Sequence, residues 1–367
     1  MEPWKTAISH SDATHLWFRG HDVTTFASGD STVPGRHIET VPIAMRPLGF
    51  GGDPGPYFMA TMREVIDRAD DFDVVHSHLE WWNLLLAQVL PVPVVSTFHS
   101  RLDHPWAREA LRNPPSGLVA ISQNQASTHP DVPWTVIYNG LSLEDAPFDR
   151  RRSDSLCFVG RVTPEKGVVE AIEIAQKAGR RLRIAAKVGP TPTEQAYYES
   201  AFKPALDAAG SDVEFLGELE EADRDALLAE SSALLMPGSW PEPFGLVAIE
   251  AMACGTPVLA RRIGALPEII RDGVDGFFGD DVTQIAFTVE SIDRLDRAEI
   301  RRSVLERFSA TRMTDDYVDL YRTLTDTDDD ARTGTDASGR AAVERITRLS
   351  SSLPSRPGLG GSIVARK

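Results

Sequence analysis

The sequence predicts an α/β chain of two Rossmann-like halves that face each other across a cleft. Three observations lead there. Short apolar runs alternate with helical patterns along most of the chain, as in mainly parallel sheets covered by helices. At 367 residues, 42% of them hydrophobic, the chain has room for two cores of ordinary size. A polar stretch, Ser142–Ser155, follows the Asn139-Gly140 turn and reads as a link between domains.

The first half, residues 1–150, is expected to place strands at His21–Ala27, Asp73–His78, Val92–Phe98, Gly117–Ser122 and Trp134–Tyr138. Helices are expected between them, near Tyr57–Ala69, Trp81–Leu90 and Pro105–Arg112. The second half, residues 151–308, repeats the scheme more cleanly. Its strands fall near Leu156–Val159, Leu182–Ala186, Val213–Leu216, Ala233–Met236 and Pro257–Ala260, and Pro192–Ala209 is a long helical connection. Residues 309–326 close the chain with a helix over about Phe308–Leu324. Beyond Asp326 the composition turns to Asp, Thr, Ser, Gly, Arg and Pro, so residues 327–367 are expected to form a disordered tail.

Charge and composition exclude several function classes. A formal net charge of −16 argues against nucleic acid or anionic lipid as a partner. No run approaches the length of a membrane-spanning helix, and no basic-then-apolar leader opens the sequence, so no stable membrane anchor is expected. Cys157 and Cys254 fall in a strand and an apolar helix, and read as small core residues of a cytoplasmic protein.

The most informative stretch is Pro241-Glu242-Pro243-Phe244-Gly245-Leu246-Val247-Ala248-Ile249-Glu250. Glu242 stands between two prolines that stiffen the backbone around it. Glu250 stands among apolar residues, where a carboxylate is costly to bury unless something polar binds it. Between them the amides of Phe244, Gly245 and Leu246 open a helix, whose N-terminus favours an anionic or hydroxyl-rich ligand. An amphipathic helix with two solvated glutamates is the bland alternative. A second cluster is Gly160-Arg161-Val-Thr-Pro-Glu-Lys166-Gly167, which follows a strand and opens a helix. Arg161 offers a planar fork of donors and Lys166 a compact point charge, both suited to phosphate oxygens. Taken alone, the pair reads as surface charge at a strand end.

At these residues the chain resembles the family 4 retaining glycosyltransferases of the GT-B architecture. The family signature is an acid, seven residues and a second acid around a Phe-Gly helix start. The Gly-Arg-x-x-x-x-Lys-Gly element and the strand end Val136-Ile137-Tyr138-Asn139-Gly140 are also similar, and the resemblance runs from about Leu16 to about Leu324. It implies a hexosyltransferase-type enzyme moving a sugar from a nucleotide-diphosphate donor, with no metal and no cofactor beyond that substrate. It assigns the sugar hydroxyls to Glu242 and the Phe244–Leu246 amides, the ribose to Glu250, the diphosphate to Arg161 and Lys166, and the base to the loop after Leu216. His99, ending Val95-Ser-Thr-Phe-His99, matches the family's active-site histidine. Without a basic apolar patch on the first half, a soluble acceptor is expected.

All nine histidines precede residue 130, and His76-Ser-His78 has the same-face spacing of a zinc pair but lacks third and fourth ligands nearby. Asp71-Phe-Asp73 reads as a helix end and strand start rather than a metal site. The family usually opens with a strand and a Gly-Gly loop. Here Met1–His15 holds no glycine, and only Thr6–Ser9 could serve as a stub of that strand. The expectation is a first domain lacking its usual first strand, with a truncated or divergent start and impaired activity. A sugar-nucleotide epimerase and a catalytically inactive nucleotide-sugar-binding protein are the competing readings. No Gly-x-Gly-x-x-Gly at a strand-to-helix turn supports hydride transfer.

Overall fold

The computed structural model describes residues 5–8, 10–45, 53–148 and 153–334. Two parallel sheets organise it. The first contains β1 (Lys5–Ile8), β2 (Asp22–Ser28), β3 (Arg36–Val41), β4 (Val74–Ser77), β5 (Val94–Phe98), β6 (Leu118–Ala120) and β7 (Thr135–Val136). Their order is β3-β2-β1-β4-β5-β6-β7. The second contains β8 (Leu156–Arg161), β9 (Leu182–Lys187), β10 (Val213–Gly217), β11 (Leu234–Met236), β12 (Val258–Ala260) and β13 (Gly276–Phe278), ordered β10-β9-β8-β11-β12-β13. Both are doubly wound orders, which place ligand sites at the carboxyl ends of the strands. Every residue of β4, β5 and β6 is buried, the polar His76, Ser77, Ser96 and Thr97 included.

The expectation of a missing first strand is corrected. Lys5–Ile8 pairs in parallel with Asp22–Thr25 on one side and with Val74 and Val75 on the other, so it occupies the central slot. A central strand cannot be dropped without leaving its neighbours' backbone groups unpaired, and four residues suffice to fill it. It escaped reading because it is so short. The His10–Phe18 helix begins almost at once, with no glycine until Gly20.

The edge strands β3 and β13 were also not anticipated. β3, Arg-His-Ile-Glu-Thr-Val, is only partly buried and carries two charges. β13 is three residues long. The expected Pro105–Arg112 helix shrinks to Ala107–Ala110, and Trp81–Leu90 becomes a tight turn followed by Asn83–Val89. The long 192–209 connection is helical throughout, Pro192–Tyr197 and Lys203–Ala209 flanking a widened turn at Tyr198–Phe202. Pro204 explains the widening, because its missing N–H and its ring both disrupt the regular ladder one turn back.

Two chain segments join the halves. The outgoing link and the returning chain run side by side: Leu141 N donates to Phe308 O at 3.0 Å and Ala310 N to Leu141 O at 2.9 Å. Only glycine fits at 140, since a Cβ there would lie 2.3 Å from the Ser309 carbonyl oxygen. The Ala310–Gly334 helix then packs on the first half. Met313, Tyr317, Val318 and Tyr321 share one buried cluster with Leu16, Val23, Val74, Val95, Val119 and Ile137. This helix continues past Asp326, and residues 335–367, part of the expected disordered tail, lie outside the described residues. Among the described residues no helix is long and apolar enough to cross a membrane.

Candidate active site

On the second half, the turn after β8 presents the two cations. Arg161 ends the strand, Pro164–Lys166 forms one tight turn, and Gly167 at φ +75° starts the Val168–Ala178 helix. Two backbones touch here. A Cβ on Gly167 would lie 2.8 Å from Gly238 N, and one on Gly238 would lie 2.4 Å from the Glu165 carbonyl. That approach sets Lys166 against the segment carrying Glu242, and the two side chains form an ion pair. Arg161 is half exposed between Glu165, at 3.7 Å, and Glu194, at 3.6 Å.

Gly245, at φ +106°, starts the Leu246–Ala253 helix, a conformation an L side chain adopts only with strain. Phe244 is buried beneath it, while Leu246 is exposed. Glu250 projects from the same helix, and burial raises its pKa above the ordinary carboxylate value, countered in part by Arg224 at 3.5 Å. A carboxylate so desolvated gains from any ligand hydroxyl that donates to it.

The first half supplies the opposite side from the carboxyl ends of β4 and β5. His99 Nε2 and His78 Nδ1 are 2.7 Å apart, with the rings stacked. Behind them His76 bonds Thr97 Oγ1 through Nε2 and the Tyr321 hydroxyl through Nδ1, both at 2.8 Å, and Thr97 reaches the Tyr317 hydroxyl at 3.0 Å. The His76-Ser-His78 spacing is thus used by hydrogen bonds to the core. Burial lowers all three imidazole pKa values, His76 to about 3, so each is neutral at pH 7. Glu80, a non-glycine residue at φ +53°, accepts from His99 N at 3.1 Å and from Ser100 Oγ at 2.8 Å, fixing the turn that presents His99.

A cleft of about 430 Å³ brings these together. His99, Arg161, Lys166, Glu242, Phe244, Gly245, Leu246 and Glu250 all line it. Leu216, expected beside them, does not. It sits at the end of β10, packed against the second half's core. Sequence reading missed Arg224 and Trp240, which also line the cleft. Arg224 comes from the Glu221–Glu230 helix, where nothing in its spacing marks it. Trp240 had a usable signal, a large aromatic directly before the Pro-Glu-Pro run. The halves are clamped beside the cleft by Glu268, whose carboxylate accepts from the amides of Gln123 at 2.8 Å and Asn124 at 2.6 Å and from the Tyr138 hydroxyl at 3.0 Å.

Comparison with known proteins agrees with the two-domain fold. The family model for Glycosyltransferase Family 4 matches residues 13–145, and that for Glycosyl transferases group 1 matches residues 148–309. The chain is 30% identical over 344 residues to a protein named glycogen synthase from Mycobacterium tuberculosis, covering 81% of this chain and 80% of that one. It is 33% identical over 188 residues to a D-inositol 3-phosphate glycosyltransferase of a Mycobacterium species, covering 47% of this chain and 42% of that one. Among solved structures, Anabaena HepE in complex with UDP and glucose superposes with a TM-score of 0.66 at 19% identity, over 88% of this chain and 100% of that one.

Proposed function

Because this chain belongs to the family 4 glycosyltransferases of the GT-B fold, we propose that it moves a sugar from a nucleoside diphosphate donor to a soluble acceptor, with retention of anomeric configuration. One observation carries this reading: two cations and two carboxylates separated in sequence by up to 89 positions, Arg161 to Glu250, converge on one cleft opposite His99. Arg161 and Lys166 neutralise the leaving diphosphate, aided by the helix that starts beside them. Glu242 and the amides at the start of the Leu246–Ala253 helix hold the transferred sugar, and Glu250 takes the ribose hydroxyls. HepE, solved with UDP and glucose in a like fold, supports a donor of this class.

His99, neutral because it is buried, offers a hydrogen bond to the sugar or acceptor without adding a competing charge. The leaving phosphate itself helps accept the acceptor's proton, so the reading requires neither a metal nor an organic cofactor. The sequence offers no counterpart of the family's Gly-Gly loop before Gly20, and slow turnover is the expected consequence. We place the reaction in the cytoplasm. The test is a thermal-shift screen of UDP-, ADP- and GDP-sugars, followed by NMR of the product anomer. An inverted product removes the retaining assignment; failure of every donor to stabilise the chain removes the reading.

A further inference from the structure

The irregular run Pro241-Glu242-Pro243 has an unusual hydrogen-bonding inventory. Two of its three residues lack an N–H, so the run is held in place mainly through its carbonyls. The Glu242 carbonyl is held from within the second half, accepting from Ala265 N at 2.9 Å. The other two are held from the first half. Arg101 Nη1 donates to the Pro241 carbonyl at 3.1 Å, and Ser122 Oγ donates to the Pro243 carbonyl at 2.7 Å. The peptide carrying Glu242 is therefore gripped on both sides by the opposite half of the molecule.

Both grips are themselves fixed. Arg101 lies two residues beyond His99, is paired with Asp103, and stacks its guanidinium 4.9 Å from the centre of the Trp240 ring. Ser122 caps the Gln123–Ser127 helix, accepting from Gln125 N at 3.0 Å while its own proton goes to Pro243. On the second half, Gly264 lets the chain pass close behind, since a Cβ there would meet Glu242 N at 2.5 Å. The Glu242 backbone is thus trapped between Gly264 and two first-half donors.

We infer that Arg101 and Ser122 are positioning residues for Glu242, aligning its carboxylate on the transferred sugar only while the first half is seated on the second. The inference rests on Glu242 holding that sugar. It couples the acceptor side to the donor side: the loop that follows His99 sets the aim of a carboxylate on the other half. An open molecule would bind the nucleoside diphosphate through Arg161 and Lys166 but hold the sugar loosely. Water would then reach the donor before the acceptor is in place, and seating the first half guards against that loss.

The experiment compares wild type, Arg101→Ala, Glu242→Gln and the double variant, using whichever of UDP-glucose, ADP-glucose or GDP-mannose stabilises the wild-type chain, with its matching nucleoside diphosphate. Calorimetry is expected to show nucleoside diphosphate affinity within about twofold of wild type in Arg101→Ala, while the added affinity due to the sugar falls by roughly tenfold, the scale of one charge-assisted hydrogen bond. In the Glu242→Gln background, Arg101→Ala is expected to cost nothing further, because both changes act through one group. Ser122→Thr, which keeps a hydroxyl able to cap and donate, should retain the sugar's contribution. Equal losses of sugar and diphosphate affinity, additive losses in the double variant, or an Arg101→Ala chain indistinguishable from wild type would each overturn the positioning role. A wild-type chain that binds the diphosphates but gains nothing from any attached sugar would instead overturn the assignment of Glu242 itself.

Discussion

The two halves share a strand plan but equip their cleft edges with opposite chemistry. The second half meets the cleft with charges held in pairs: Lys166 with Glu242, Arg161 with Glu165 and Glu194, and Arg224 with Glu250. The first half meets it with one neutral imidazole, His99, backed by His78 and, deeper, by His76, Thr97, Tyr317 and Tyr321. Paired charges at the surface stabilise a fold little, but they keep cations available where an anion can displace the internal carboxylate. A neutral hydrogen-bonding ring suits a partner that carries hydroxyls. The asymmetry matches a reaction in which one substrate arrives with a diphosphate and the other without.

That contrast can be broken most sharply at Glu242. Glu242→Ala should lower transfer by about 10²-fold or more, since the sugar loses its orientation, while nucleoside diphosphate binding survives. Initial rates beside calorimetry check it; undiminished turnover would remove Glu242 from the site. Lys166→Ala should weaken diphosphate binding by about tenfold or more, the loss of a charge-assisted contact, whereas His99→Ala should leave it unaltered. Equal effects from both halves would erase the division of labour. A smaller loss of diphosphate affinity, with about 1–3 kcal/mol of stability, is expected for Gly238→Ala, whose new Cβ would collide with the Glu165 carbonyl and displace the Lys166 turn.

Acid separates the halves by sign. The folded pKa values of His76, His78 and His99 lie below the ordinary 6.5, so these rings take up protons more readily in the unfolded chain. Their contribution is complete above pH 6.5 and is lost as pH falls toward the folded values, at up to about 1.4 kcal/mol per pH unit for each ring. Glu250 has a raised folded pKa, so it opposes folding above that value and ceases to do so as it protonates. Urea unfolding at pH 7 and pH 5.5 should therefore show net loss on acidification, reduced in His99→Asn. A flat profile would mean the rings charge freely in the folded state. The mildest change is Tyr321→Phe, which deprives His76 of one partner and should cost about 1 kcal/mol, read as a shift in the urea midpoint, without touching donor affinity.

The second half was the more legible in the sequence, and the reason is locality. The Gly160–Gly167 run leads from a strand end through a tight turn to a helix, and the Pro241–Glu250 run is a short loop that opens a helix. Each brings its residues to the cleft within one local segment. Leu216 lies at the end of β10, packed against the core, and the sequence could not show this, because a strand end fixes a side chain's neighbourhood but not whether it faces the cleft or the core. β1 was discounted because four residues between polar neighbours carry almost no periodicity, although the sheet it completes demands a central strand. Arg224, Arg101 and Ser122 reach the site through contacts spanning 26, 140 and 121 positions, and no local pattern encodes such pairings.

The returning Ala310–Gly334 helix has a consequence for how the molecule is made. Tyr317 and Tyr321 are among the largest fully buried side chains, and they complete the interior of the half that leaves the ribosome first. During synthesis that half must wait, with Val74, Val95 and Val119 incompletely covered, until more than 300 residues have been translated. Assembly is therefore concluded from the far end of the nascent chain, and a stop codon shortly before Met313 would cripple the portion already made.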